Sequence, residues 1–233
     1  MEAIVLTGGF GTRLQGIGHD TPKSMALING KPFLGYLLNY LTGQGITKVI
    51  FAAGFKHEMI RDHFGDRFKQ LELIYSVEQE PLGTGGGIKL AMKLAESDHV
   101  FAFNGDSLFR IDLGRIYQFH LKKEADITIG LRSLDETARY GCVTVDENAL
   151  VTGFSEKGRN TGSGHINGGV YLIRKEFFLN AGLPDKFSIE HDCFEKLYNS
   201  VKIFGCISRG YFLDIGIPED YYRAQDEFKA FDD

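Results

Sequence analysis

The first half of the chain carries its apolar residues in short unbroken runs, separated by stretches with helical spacing. Ala3 to Leu6, Lys48 to Ala53, Leu71 to Val77 and His99 to Phe103 read as strands apolar on both faces, the pattern of a sheet covered on both sides. Phe33 to Thr42, His57 to Phe64 and Ile88 to Ala95 read as the helices between them, with Gly43 and Gly45 stopping the first. This alternation predicts an α/β fold with a Rossmann-like mixed, mostly parallel sheet and helices on both faces. Ligands bind such sheets outside the carboxyl ends of the strands. The segments after strand ends, Thr7 to Leu14, Glu78 to Gly87 and Asn104 to Ser107, are therefore expected to meet on one rim. Within the second of these, Gly83 to Gly87 reads as a glycine-rich loop.

The pattern changes in the second half. Asp126 to Arg132, Cys142 to Val145, Val170 to Ile173, Val201 to Ile207 and Tyr211 to Leu213 read as strands joined by glycine-rich turns. Phe187 to Tyr198 reads as a helix, and Pro218 to Phe231 as a closing helix with proline at its start. The polar, glycine-rich segment Lys157 to Gly164 reads as a mobile loop. No linker, repeat or low-complexity tract divides the chain, so 1–233 is expected to form one domain, with halves meeting near about residue 125.

The 233 residues suffice for a well-buried core, and 43% hydrophobic with 24% charged residues is ordinary globular usage. A net charge of −5 argues against a nucleic-acid or anionic-membrane binder. No apolar run is long enough to span a bilayer, and the N-terminus lacks a signal-peptide pattern. The three cysteines, Cys142, Cys193 and Cys206, lack metal-ligand spacing and suit a reducing cytoplasm. His57-Glu58 begins like a zinc-protease helix, but position 61 is arginine.

Leu6-Thr7-Gly8-Gly9-Phe10-Gly11-Thr12-Arg13-Leu14 is the most informative segment. Glycines allow consecutive backbone N–H groups to form an anion-binding nest, and Arg13 adds a forked charge suited to phosphate. A P-loop lysine motif is absent, and Leu14 stands where a dinucleotide fingerprint needs its third glycine. With Pro22-Lys23, the string resembles the signature of the sugar-1-phosphate nucleotidyltransferases. The resemblance continues through Glu80-Pro81-Leu82-Gly83-Thr84-Gly85-Gly86, Asn104-Gly105-Asp106, Tyr140-Gly141, Glu156-Lys157, Asn167-Gly168-Gly169 and Asp214-Ile215-Gly216-Ile217-Pro218. Among subfamilies it is most similar to the guanylyltransferases of D-glycero-α-D-manno-heptose 1-phosphate, with the mannose 1-phosphate guanylyltransferases close behind. It implies the nucleotide-diphospho-sugar transferase fold, a nucleotide-binding first half and a sugar-phosphate-binding second half. It also implies a place in capsule, lipopolysaccharide or S-layer glycan synthesis and the possibility of a homodimer.

Asp106 and Asp214 each stand at a strand end. Either alone reads most simply as a loop aspartate capping a turn; Mg²⁺ prefers one or two carboxylates together with phosphate oxygens and water, and with the glycine loop the resemblance makes the pair the expected metal site. Arg13, Lys23, Asp106 and Asp214 are the expected catalytic set. The resemblance places Leu6, Gly8, Gly9, Gly11, Thr12, Arg13, Glu78, Pro81, Gly83, Thr84 and Gly105 around the nucleotide. It places Tyr140, Gly141, Glu156, Lys157 and Asn167 around the sugar phosphate. Glu78 matches the position that reads the base edge; a carboxylate there accepts from two guanine donors but only one of uracil or thymine. A solvated charge at a strand end is the other reading of Glu78. Two alternative functions stand beside this one: a relative with another base or sugar, and an inactive homologue that binds nucleotide sugars to regulate a partner.

Overall fold

β1 (Glu2–Leu6) sits in the middle of the molecule because both of its faces are apolar. Ala3 and Val5 point into one core, and Ile4 into the other. The structure is a computed structural model that describes residues 1–8, 21–54, 56–155 and 162–231. After β1, a 3₁₀ turn at Lys23–Met25 leads into a short ribbon of β2 (Leu27–Ile28) and β3 (Lys31–Pro32). Then come α1 (Phe33–Gly43), β4 (Lys48–Ala53), α2 (His57–Phe64), β5 (Arg67–Phe68) and β6 (Leu71–Val77). α3 (Gly83–Met92), β7 (His99–Asn104), β8 (Ser107–Phe109) and α4 (Leu113–Lys123) complete the first half.

The second half runs β9 (Ile127–Leu134), β10 (Cys142–Val145), β11 (Val151–Ser155), β12 (Gly164–Arg174) and α5 (Lys175–Asn180). A π-helical turn at Ile189–Phe194 flows into α6 (Glu195–Leu197), followed by β13 (Ile203–Ser208), β14 (Phe212–Asp214) and α7 (Pro218–Glu227). Among the described residues, a ten-stranded sheet takes the order β11-β10-β12-β7-β1-β4-β6-β5, with β9 branching from β12 and β13 pairing with β9. The pairs β7–β1, β1–β4 and β4–β6 are parallel, as the buried runs predict. The strands of the second half add mainly antiparallel pairs, beginning with β12 against β7. The sheet therefore continues across the two halves. α1, α2, α4 and α7 cover one face, while α3, α5 and the π turn cover the other.

Four expectations need correction. Gly83 to Gly87 is not a loop; it forms the first turns of α3, which ends at Met92 rather than Ala95. Those glycines serve close packing. A Cβ at Gly83 would lie 2.6 Å from the Phe187 carbonyl oxygen, and one at Gly86 would strike the Asp185 carbonyl. Ser107 is not in a loop but opens β8. The strand expected over Val170 to Ile173 is longer, β12 running from Gly164 to Arg174, with Asn167-Gly168-Gly169 at a bulge where the register with β9 shifts between Asn167 and Tyr171. Finally, the helix expected over Phe187 to Tyr198 begins only at Ile189 and is π-helical through Phe194.

Candidate active site

Two carboxylates far apart in sequence meet because two short strands pair. β8 and β14 form an antiparallel ribbon in which Asp214 lies opposite Ser107, the residue after Asp106. The Ile215 N–H then donates to the Asp106 carbonyl at 3.0 Å. A glycine at 105 lets this segment press against β1: its N–H donates to the Leu6 carbonyl at 2.9 Å, and a side chain there would strike that same oxygen. Lys23 arrives from the 3₁₀ turn, which buried Ser24 and Met25 anchor. Its ammonium donates to Asp106 Oδ2 and lies 3.4 Å from Asp214 Oδ1. Burial, and then the charge of Asp106, pushes the Asp214 carboxyl above its ordinary range; Lys23 and the Gly216 N–H oppose that shift. The carboxylates thus crowd their negative charge and call for a cation.

This cluster stands where two clefts adjoin. The first, of 360 Å³, is lined by Leu6, Thr7, Gly8, Lys23, Glu78 and Asp106, among others. At Glu78, one of these lining residues, burial raises the carboxyl pKa and the Leu82 N–H, 3.0 Å from Oε2, partly offsets this. The second, of 530 Å³, is lined by Ser107, Tyr140, Asn167, Glu190, Phe212 and Asp214, among others. Asn104 borders both clefts. Two buried polar atoms along the first cleft, Ser24 Oγ and Asn104 Oδ1, have no hydrogen-bond partner among the described residues. Buried polar atoms are normally paired, so both suit contact with a polar ligand.

Tyr140 is held over the second cleft by its loop. Its ring meets Phe212 edge-on with centroids 6.1 Å apart, and neighbouring Arg139 donates to buried Asp220 of α7 at 2.7 Å. Asn167 spends part of its amide on the β12 bulge. Its Oδ1 accepts from the Gly169 N–H at 2.9 Å, and its Nδ2 donates to the buried Tyr171 hydroxyl at 2.9 Å. One donor and one acceptor position of that amide are left for the cleft.

The family model for nucleotidyl transferases matches residues 2–230. The chain belongs to that family. It is 46% identical over 231 residues to the D-glycero-alpha-D-manno-heptose 1-phosphate guanylyltransferase of Aneurinibacillus thermoaerophilus, covering 99% of this chain and 100% of the relative. It is 45% identical over 223 residues to the Campylobacter jejuni enzyme of the same name, covering 96% and 98%. The crystal structure of HddC from Yersinia pseudotuberculosis superposes with a TM-score of 0.89 at 36% identity, over 97% of this chain and 99% of that one. HddC has also been solved complexed with GMP-PN, and that structure superposes with a TM-score of 0.88.

This nucleotidyl transferase thus gathers most of the residues singled out by its sequence. Leu6, Gly8, Lys23, Glu78, Pro81, Gly83, Thr84, Gly105 and Asp106 line the first cleft. Tyr140, Gly141, Asn167 and Asp214 line the second. Gly9, Gly11, Thr12, Arg13, Glu156 and Lys157, with the loop at 157–161, lie outside the described residues. Sequence reasoning did not single out Ser24, Glu190 and His191 as cleft residues. Nor did it give Asn104 a role, although the residue stands in a recognised motif. Glu190 and His191 carry no local signal, since only the π turn aims them at the cleft.

Among the described residues, no three His, Cys, Asp or Glu side chains are placed to hold a metal by themselves. Two carboxylates with room beside them nevertheless fit a hard cation that takes its remaining ligands from phosphate and water. No helix among the described residues is long and apolar enough to cross a membrane.

Proposed function

We propose that this nucleotidyl transferase joins GTP to D-glycero-α-D-manno-heptose 1-phosphate, forming GDP-heptose and pyrophosphate. The observation that carries the reading is the meeting of two clefts at Lys23, Asp106 and Asp214. One cleft takes the nucleotide and the other the sugar phosphate, so the reacting phosphates face each other across that cluster. The names of the two relatives and the guanine nucleotide in the HddC complex support the choice of substrates.

A sugar 1-phosphate is already largely dianionic near neutral pH, with a second pKa of about 6. One of its oxygens forms the new bond to the α-phosphorus of GTP. The bond from that phosphorus to the bridging α–β oxygen breaks, and its electron pair leaves with pyrophosphate. No proton needs to move. The two substrates repel as they approach, by about 4 kcal/mol between two unit charges at about 4 Å with an effective dielectric of 20. Lys23 offsets this at the junction of the clefts. The amides of Gly8 to Thr12, with Arg13, hold the β- and γ-phosphates, and Glu78 accepts from the guanine edge. Lys157 neutralises the sugar phosphate, while Glu156 and Asn167 hold sugar hydroxyls. Asp106 and Asp214 would hold a divalent metal, of the kind this family generally uses, and Mg²⁺ is the ion their oxygens would suit. When bound, it supplies positive charge to the phosphate oxygens.

Pyrophosphate release tests the reading directly. GTP, UTP, dTTP, CTP and ATP would each be offered with heptose and mannose 1-phosphates. GTP with the heptose phosphate is expected to turn over fastest. A preference for another base overturns the guanylyl assignment, and a preference for mannose phosphate overturns the sugar.

A further inference from the structure

The wall between the two clefts is built from segments about a hundred positions apart in the chain. The first turn of α3 faces the nucleotide cleft through Gly83 and Thr84. The π turn faces the sugar-phosphate cleft through Glu190. Backbone bonds lock the two together: the Gly85 N–H donates to the Phe187 carbonyl at 3.0 Å, and the Phe187 N–H donates to the Leu82 carbonyl at 2.9 Å. A side-chain bond then crosses the wall. The Thr84 hydroxyl donates to Glu190 Oε2 at 2.8 Å and accepts from the Ile189 N–H at 3.0 Å. The Ser188 hydroxyl donates to the same carboxylate oxygen at 2.9 Å.

These bonds have two consequences. The Thr84 hydroxyl proton is spent on Glu190, so this residue of the nucleotide cleft acts structurally on the other cleft. Glu190, meanwhile, is a half-buried carboxylate held by hydroxyls, with no ion pair among the described residues. A charge in that state retains acceptor capacity and repels phosphate. In a cleft that also carries Asp214, whose Oδ1 lies 3.4 Å from the Lys23 ammonium, it therefore suits the hydroxyl-bearing end of a ligand rather than the phosphate.

We infer that Glu190 binds a hydroxyl of the sugar 1-phosphate and sets the direction in which that substrate lies, with Thr84 as its positioning residue. The inference rests on the proposed function for the identity of the two clefts, and it names a residue that reading does not use. π-Helical turns recur at functional sites, and Glu190 is the second residue of this one.

The test uses the full chain and any sugar 1-phosphate that the wild-type protein converts. Absence of turnover with every nucleotide and sugar phosphate defeats the proposed function; the inference is then judged from the variants by calorimetric binding of mannose 1-phosphate. Glu190→Gln, which keeps the shape, should raise KM for the sugar phosphate about tenfold or more, with a smaller change in KM for the nucleotide. Thr84→Val should also raise KM for the sugar phosphate. The double variant should be no worse than Glu190→Gln alone, because the two residues act as one unit. Thermal melting of each variant separates loss of fold from loss of binding. Glu190→Asp, which retains the charge on a shorter side chain, should recover part of the loss if the variants melt normally. An unchanged sugar-phosphate KM in Glu190→Gln, a Thr84→Val effect confined to the nucleotide, or strictly additive losses would each overturn the inference.

Discussion

At the scale of single residues, the proposed chemistry rests on groups whose charges would be costly to hold together without a ligand. Asp106 and Asp214 share one ammonium, and Asp214 is pushed up by burial and by its neighbour. Replacing Asp106 by Asn preserves volume and hydrogen bonding but removes one of the two negative charges. Turnover should fall by at least about 100-fold, the scale seen when an electrostatic contact to reacting groups is lost, while the melting temperature changes little. Near-normal turnover by the folded variant, measured by pyrophosphate release, would remove Asp106 from the metal-binding set. Asp106 and Asp214 were legible in the sequence because each follows an apolar run with a glycine within two positions, and Lys23 because it follows Pro22 in a motif string. Ser24 and Asn104 were legible only as neighbours, since an unpartnered buried atom exists only once the chain has folded around it.

At the scale of elements, α3 shows how local glycine content misleads. Glycine weakens a helix by about 1 kcal/mol relative to alanine, so Gly83 to Gly87 reads as a loop. Tertiary contact overrides this, because no side chain fits between the helix start and residues 185–187. Gly86→Ala would set a methyl group against the Asp185 carbonyl and the Leu82 Cβ. We expect a loss of about 1–3 kcal/mol, the usual range for overpacking, in urea unfolding, together with higher KM values because the wall between the clefts shifts. A variant as stable as wild type would show that the backbone yields at no cost.

α4 docks on the sheet through a second such contact. Its buried His120 meets His99 of β7 at 3.0 Å and Thr128 of β9 at 2.8 Å. Burial first, and then His99, takes the His120 pKa from 6.5 down to about 3. In the unfolded chain this imidazole binds a proton below about 6.5, whereas the folded one stays neutral until about 3. Between those values the unfolded state holds the extra proton. Stability is therefore full above 6.5 and falls as the pH drops, by up to about 1.4 kcal/mol per unit. Unfolding followed from pH 7.5 to 5 should show a shallower slope in His120→Gln than in wild type, whatever its absolute stability. Parallel slopes would place the acid sensitivity elsewhere.

At the scale of the molecule, the sheet carries the two clefts as one surface. β7 contributes Asn104 to both, and β12 lies antiparallel to it with Asn167 at its bulge. A nucleotide bound in the first cleft should therefore stabilise the whole fold. At 100 times its Kd, GTP adds about 2.7 kcal/mol, or roughly 5–10 °C in Tm for a domain of this size. Differential scanning fluorimetry with GTP and dTTP would read this, and an equal shift from both would speak against selection of guanine by Glu78.

Local pattern alone dictated the βα order of the first half and the strand ends proposed to carry the chemistry. Both depend on short-range pattern: apolar runs, helical spacing, and glycines where the chain must turn or approach a ligand. It also carried the family signature, because those motifs are local strings. The pairing of β8 with β14, which brings Asp106 to Asp214, came from long-range packing. That packing also placed Thr84 on Glu190 across the wall and made a helix start of five residues that contain four glycines. Each of these contacts joins positions far apart in the chain, and its free energy comes from burial and hydrogen bonding that no local window contains.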